Sequence, residues 1–238
     1  MKKGSICFVT VIVLALLVGC RPPATEPTVP EHSSLYTPEL SVEDVIRYFG
    51  EVCLDAEFVN NGDPTKLQKW TKPIYYLCTG TPTEADLQVL TNFVNWLNTV
   101  EGFPGIREAM HPAEANLKIY FYDHDQYVSV MGSQFAGTDG GVTFWYNGKD
   151  EIYEGIIGYR TDITQEVRNS VIIEEIYNGL GPVQDTDLRE DSIIYSGYTA
   201  PQSLTAVDEL ILKLLYHPDM QCGMTAAECE AVIRKLYY

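Results

Sequence analysis

Residues 164–180 constrain the fold most strongly, because they predict a helix that is apolar on two sides. One stripe consists of large apolar residues at helical spacing: Ile173, Ile176, Tyr177 and Leu180. Val167 and Val171 lie on the opposite side, in line with Glu174 and Asn178. A helix of this kind is buried, so the polar side chains within it either need hydrogen-bond partners or belong to a site.

The remaining pattern predicts strands and helices packed around this buried helix. Alternating or β-branched runs predict strands at 74–78, 117–122, 142–146 and 151–159, with a tight turn at Asn147-Gly148. Apolar residues at helical spacing predict further helices at 41–50, 83–97, 125–131 and 205–215. The order favours an α+β fold, with a mixed sheet over the central buried helix and a C-terminal helix.

The end of the central helix resembles the metal-binding segment of metzincin zinc peptidases, which reads H-E-x-x-H-x-x-G-x-x-H. In that motif two histidines one turn apart face the zinc ion, and the glutamate between them is the general base. Residues 174–184 keep the glutamate as Glu175 and the helix-breaking glycine as Gly181. The three histidine positions hold other residues: Glu174, Asn178 and Gln184.

The resemblance extends over about residues 65–225 and implies a zincin-like fold of the matrixin type. Residues 204–218 resemble the C-terminal helix of matrixin-like domains, and a predicted hairpin precedes the central helix as it does in that group. The sequence is most similar to uncharacterised bacterial domains whose motif has become E-E-x-x-Q or a variant of it, followed by a Ser-Ile pair, here Ser192-Ile193. Residues 193–195 are the candidates for the turn beneath the metal.

The replaced histidines argue against zinc, because side-chain amides are poor zinc ligands. We therefore expect no resident cofactor and no bound metal. A hard ion on Glu174, Gln184 and Asp185 fits the donors better than zinc does. Without a metal-activated water Glu175 has no nucleophile to deprotonate, so it is a catalytic candidate only if the domain is active.

The first 19 residues have the organisation of a bacterial lipoprotein signal peptide. Lys2 and Lys3 form a positive start, residues 6–18 form the apolar stretch, and small residues precede Cys20. The pattern predicts cleavage before Cys20, and its lipidation would anchor the chain to a membrane on the extracytoplasmic side of the cell envelope. The proline-rich residues 20–37 are predicted to be a tether, which leaves 38–238 as the zincin-like domain.

Four cysteines follow the lipidation site, and an even number in an exported protein predicts disulfides. Proximity in sequence favours Cys53 with Cys78 and Cys222 with Cys229, although three pairings are possible. A four-cysteine zinc site is the alternative, and the lack of any C-x-x-C pair in the sequence argues against it.

The charge and the aromatic residues bear on possible partners. A formal net charge of −17 disfavours binding to nucleic acid. The aromatic residues of the predicted hairpin form either sheet core or a groove for a peptide or glycan: Trp145, Tyr146, Tyr153 and Tyr159.

The sequence thus predicts a surface-anchored lipoprotein whose metallopeptidase-like domain binds an envelope or extracellular partner without catalysing hydrolysis. Two alternatives stay open. One is an active metal-dependent hydrolase with atypical ligands, and the other is a purely structural envelope protein.

Overall fold

The computed structural model describes residues 35, 37, 39–54 and 66–237, which belong to one unit, His32–Tyr238. The predicted signal peptide, Cys20 and most of the predicted tether lie outside the described residues. Within these ranges no helix has both the length and the apolar character needed to cross a membrane.

Six α-helices occupy the described residues. They are α1 Val42–Leu54, α2 Glu84–Leu97, α3 His124–Met131, α4 Gln165–Asn178, α5 Ala206–Tyr216 and α6 Ala226–Leu236. Helices α2, α5 and α6 each begin with a threonine N-cap and an acidic residue three positions later, which form a reciprocal capping box. These local signals explain why the starts of α2 and α5 could be predicted from the sequence.

The strands form one mixed, mostly parallel sheet. They are β1 Lys69–Trp70, β2 Ile74–Gly80, β3 Ile106–Glu108, β4 Leu117–Tyr122, β5 Gly140–Tyr146 and β6 Glu151–Arg160. The strand order is β1-β6-β4-β2-β3 with parallel pairing throughout, while β5 pairs with β6 in the antiparallel direction. The predicted combination of helices with a mixed sheet is confirmed, and parallel strands predominate in it.

Helix α1 is longer than predicted, because it continues through Gly50 to Leu54. Glycine in a helix interior costs roughly 1 kcal/mol relative to alanine. The buried side chains of Val52, Cys53 and Leu54 offset this cost, since each packs into the core beyond the glycine.

The turn between β5 and β6 also differs from the predicted two-residue turn at Asn147-Gly148. The chain reverses over Asn147 to Asp150, and Asp150 has the positive φ of 60°. The Oδ1 atom of Asn147 accepts a hydrogen bond from the amide of Lys149 at 2.8 Å. This local bond favours the longer turn.

Helix α4 packs against α2, β5 and β6. Aromatic side chains donate hydrogen bonds to the backbone carbonyl groups just after its last turn. The indole of Trp70 donates to the carbonyl oxygen of Gly179 at 2.9 Å, and the hydroxyl of Tyr216 donates to that of Leu180 at 2.8 Å. Gly181 then adopts a φ of 135°, and an added Cβ would lie 2.6 Å from a neighbouring carbonyl oxygen. The glycine break predicted at the end of the central helix is therefore confirmed.

The four described cysteines are thiols in this structure, so neither Cys53–Cys78 nor Cys222–Cys229 is a disulfide in it. Cys78 lies on β2, opposite Ile119 of β4, whereas Cys53 lies on α1. In the fold, α1 packs against α6.

Candidate functional site

Two adjacent carboxyl groups, those of Glu174 and Glu175, lie on α4 where this helix approaches β5. A Cβ added at Gly140 would lie 2.3 Å from Cγ1 of Val171 and 2.9 Å from Cγ of Glu175. Helix and strand therefore meet through a bare glycine backbone, and a larger residue would push them apart. The side chain of Glu175 is consequently enclosed, and the residue is 8% exposed.

Both carboxyl groups favour their neutral form. Burial, together with the negative charges of Asp185 and Asp139, raises the pKa of Glu174 to about 8. Burial, followed by the charges of Glu174 and Asp185, raises the pKa of Glu175 well above its ordinary value. Within the described part of the chain neither carboxyl has a hydrogen-bond partner. Burial therefore removes water from both carboxyl groups, and no hydrogen bond from the described residues replaces it.

Nearby buried oxygens also lack partners among the described residues: Ser170 Oγ, Asn178 Oδ1 and Gln184 Oε1. Asn178 follows Glu174 by one helical turn, so the two side chains project from the same side of α4. The charge of Asp185 acts on both glutamates, which places the segment that carries Gln184 beside the helix. An unpaired buried polar group costs about 1–3 kcal/mol, so such a set calls for an explanation.

We call Glu174, Glu175, Asn178 and Gln184 the acceptor cluster. Its members are the three positions where the metzincin motif has histidines and the position of its general base. The sequence had identified all four residues. The structure adds that the side-chain oxygens of Asn178 and Gln184 are buried without a donor in the described part of the chain. The two glutamates there have raised pKa values and no hydrogen-bond partner.

The sequence analysis missed a second polar centre, formed by the carboxylate of Asp208 on α5, which is 0% exposed. It accepts hydrogen bonds from the hydroxyl of Ser192 at 2.7 Å, the amide of Ile193 at 3.2 Å, and the amide and hydroxyl of Thr205, both at 2.8 Å. The hydroxyl of Tyr48 adds a longer bond of 3.4 Å. In the sequence, the only sign of this centre was the capping box at Thr205. The box identifies Asp208 as a helix-capping residue but does not reveal its hydrogen bonds to Ser192 and Ile193.

This centre links α4 to the segment that the resemblance had assigned to the turn beneath the metal. The hydroxyl of Tyr177 on α4 donates to the carbonyl oxygen of Asp208 at 3.0 Å. Ile193 and Ile194 are buried, at 2% and 0% exposed. The Asp208 carboxylate thus fixes residues 192–194 and helix α5 relative to the helix that carries the acceptor cluster.

The residues at the ligand positions do not fit zinc. Glu174 offers one carboxylate, while Asn178 and Gln184 offer amide oxygens that are weak zinc donors. Over the described ranges no three histidine, cysteine, aspartate or glutamate side chains are grouped so that they could hold a metal ion.

The raised pKa values predict an unusual dependence of stability on pH. A carboxyl with a raised pKa in the folded state stays protonated where the unfolded chain has lost its proton. The contribution of the protonated Glu174 to the free energy of unfolding is therefore complete below about pH 4.5. It is lost as the pH rises toward 8, the pKa of Glu174 in the folded state. We expect the free energy of unfolding to fall across this window by about 1.4 kcal/mol per pH unit for each retained proton.

Urea denaturation at several pH values between 5 and 8 measures this slope. The double variant Glu174→Gln/Glu175→Gln should lose most of it, because a neutral amide does not titrate. Glu114→Gln, at an exposed position, serves as the control and should retain the slope of the parent. Equal slopes in the parent and the double variant would contradict the assignment.

The fold is a mixed α/β domain in which a mostly parallel sheet carries one antiparallel strand beside a buried helix. A protein-family model described as "Protein of unknown function (DUF2927)" matches residues 42–235. The chain therefore belongs to the DUF2927 family, and the match spans the domain from α1 to the last turns of α6. No curated protein matches the chain.

Proposed function

We propose that this chain is a lipid-anchored envelope protein whose zincin-like domain binds a peptide partner and does not hydrolyse it. The lipoprotein signal and Cys20 support the location. The glutamate and glycine retained in the motif, together with an antiparallel strand beside the helix that bears it, support the zincin-like relationship.

The chemistry of the acceptor cluster supports binding over catalysis. A zinc peptidase needs a metal to lower the pKa of the attacking water, and a carboxylate with two amide oxygens is a poor cage for zinc. Burial and the charges of Glu174 and Asp185 also raise the pKa of Glu175 well above its ordinary value, which favours the protonated form of this group. A protonated carboxyl does not act as a general base.

One observation carries the proposal: the buried side-chain oxygens of Asn178 and Gln184 lack hydrogen-bond donors in the described part of the chain, and the carboxyl groups of Glu174 and Glu175 have no hydrogen-bond partner there. A ligand that supplies several donors would offset this cost, and a positive charge on it would lower the pKa values of the two carboxyl groups so that they ionise beside it. A lysine or arginine side chain does both. The net charge of −17 also favours a basic partner.

Strand β5 favours a peptide as the carrier of that basic side chain. Among the described strands it pairs only with β6, so its other edge can accept an extended chain. Trp145, Tyr146 and Tyr153, at the turn end of this hairpin, are 41%, 51% and 50% exposed and offer further contact surface. Tyr159 is buried and belongs to the sheet core.

The binding test uses the full chain in calorimetric titrations with a lysine- and arginine-rich peptide, an acidic peptide of equal length and a neutral oligosaccharide. We expect only the basic peptide to bind. The double variant Glu174→Gln/Asn178→Ala should weaken binding at least about tenfold, which corresponds to about 1.4 kcal/mol. Glu114→Gln is the control and should bind as the parent does.

The same samples are analysed for cleavage by mass spectrometry, with and without a chelator. We expect the peptide to remain intact in both. Hydrolysis that is abolished by the chelator and by Glu175→Gln would overturn the non-catalytic assignment. Binding of the oligosaccharide alone would overturn the assignment of a basic peptide.

A further inference from the structure

Helices α1 and α6 pack against each other and join the two ends of the domain. A shallow groove of about 270 Å³ runs between them, lined from α1 by Phe49, Gly50 and Leu54 and from α6 by Cys229 and Ile233. At its margin the guanidinium of Arg234 donates to both carboxylate oxygens of Glu43, at 2.8 and 2.7 Å.

Two thiols lie buried at this interface. Cys53 is 2% exposed and Cys229 is 1% exposed. Cys53 follows Phe49 by one helical turn, so both residues lie on the side of α1 that faces α6. After burial, the proximity of Cys229 is the next cause that raises the pKa of Cys53. The two thiols therefore lie close enough for the charge of one to act on the pKa of the other.

The other two described cysteines lie outside this groove, although the charges of Cys222 and Cys229 both act on the pKa of Lys69. The thiol of Cys222 donates to the carbonyl oxygen of Lys69 at 3.6 Å and lines a separate groove with Thr71 and Glu151. Cys78 lies within the sheet on β2. Neither thiol lines the groove between α1 and α6.

We propose that Cys53 and Cys229 form a disulfide that joins α1 to α6 when the chain folds in the presence of a disulfide donor. One thiolate attacks the donor disulfide, such as oxidised glutathione, and displaces one reduced thiol. The second cysteine thiolate then attacks the mixed disulfide and displaces the other. Two cysteine thiols are thereby oxidised, and one donor disulfide is reduced to two thiols.

The burial of both groups determines when this exchange happens. Burial raises the pKa of Cys229 to about 11 and that of Cys53 well above its ordinary value. Thiolates are the attacking species, so exchange is slow once the interface has closed. The bond therefore forms during folding, and the surrounding side chains then shield it. This inference does not depend on the proposed peptide binding.

The test uses the full chain isolated from an oxidising compartment, alkylated in denaturant without reduction and mapped by mass spectrometry. We expect a linked pair of peptides that contain Cys53 and Cys229, with Cys78 and Cys222 alkylated. A Cys222–Cys229 link, a Cys53–Cys78 link, or four alkylated cysteines in the folded domain would overturn the proposal.

Thermal unfolding provides a second readout. Because the bond closes a loop that includes most of the domain, reduction should lower the melting temperature of the parent by roughly 10 °C. Cys53→Ser and Cys229→Ser should each melt near the reduced parent and should not respond to reductant. Cys78→Ser is the control and should keep the full response to reductant. An equal response of all the variants would count against the bond.

Discussion

Replacement of Asp208 by alanine is expected to lower the free energy of unfolding by about 3–5 kcal/mol. The carboxylate is fully buried and accepts hydrogen bonds from Ser192, Ile193 and Thr205. Alanine would leave these buried donors without an acceptor. It would also loosen the link between α5 and the segment 192–194, which lies next to the helix that carries the acceptor cluster.

The chain offers a matched control in a second capping box of the same form. Glu228 on α6 accepts from the amide and hydroxyl of Thr225, both at 2.8 Å, but this box is exposed. Glu228→Ala should therefore have a much smaller effect than Asp208→Ala in urea denaturation followed by tryptophan fluorescence. Similar losses in the two variants would mean that Asp208 acts only as a helix cap.

Much of the fold could be predicted from local patterns, because local chemistry fixes the elements concerned. The alternation of Leu117, Ile119 and Phe121 with polar and aromatic residues gave strand β4 its correct bounds. Threonine caps gave the starts of α2 and α5. The continuation of α1 through Gly50 was missed, because tertiary packing of the following residues outweighs the local preference of glycine.

The residues of the candidate site came from the resemblance to the metzincin motif, which singled out Glu174, Glu175, Asn178 and Gln184. The sequence did not reveal the physical state of these side chains. The enclosure of Glu175 depends on the close approach of β5 at Gly140, which is a contact between distant parts of the chain. For the same reason the partners of Asp208 could not be derived from positions along the sequence.

The buried ion pair between α2 and α4 gives the second large effect: Arg168→Met should lower the free energy of unfolding by about 3–5 kcal/mol. The Nε atom of Arg168 lies 2.7 Å from Oδ1 of Asp86, and the side chains of the pair are 6% and 0% exposed. Although burial raises the pKa of Asp86, hydrogen bonds from Gln165, Thr83 and Arg168 together hold it below its ordinary value. The variant would leave a buried carboxylate without its cation.

Two comparisons separate the loss of the cation from the loss of packing. The double variant Asp86→Ala/Arg168→Met should be much more stable than the sum of the two single losses implies, because no uncompensated charge is left. Ionised Asp86 stabilises the folded state above 3.8, its pKa in the unfolded chain, and this stabilisation is lost as the pH falls. The loss of stability caused by Arg168→Met should therefore become smaller below that pH.

Arg234→Met, which breaks an exposed pair with Glu43, is the control and should have little effect in denaturation at physiological salt. Additive losses in the double variant, with a deficit that does not change with pH, would show that Arg168 stabilises the interface through its aliphatic part alone.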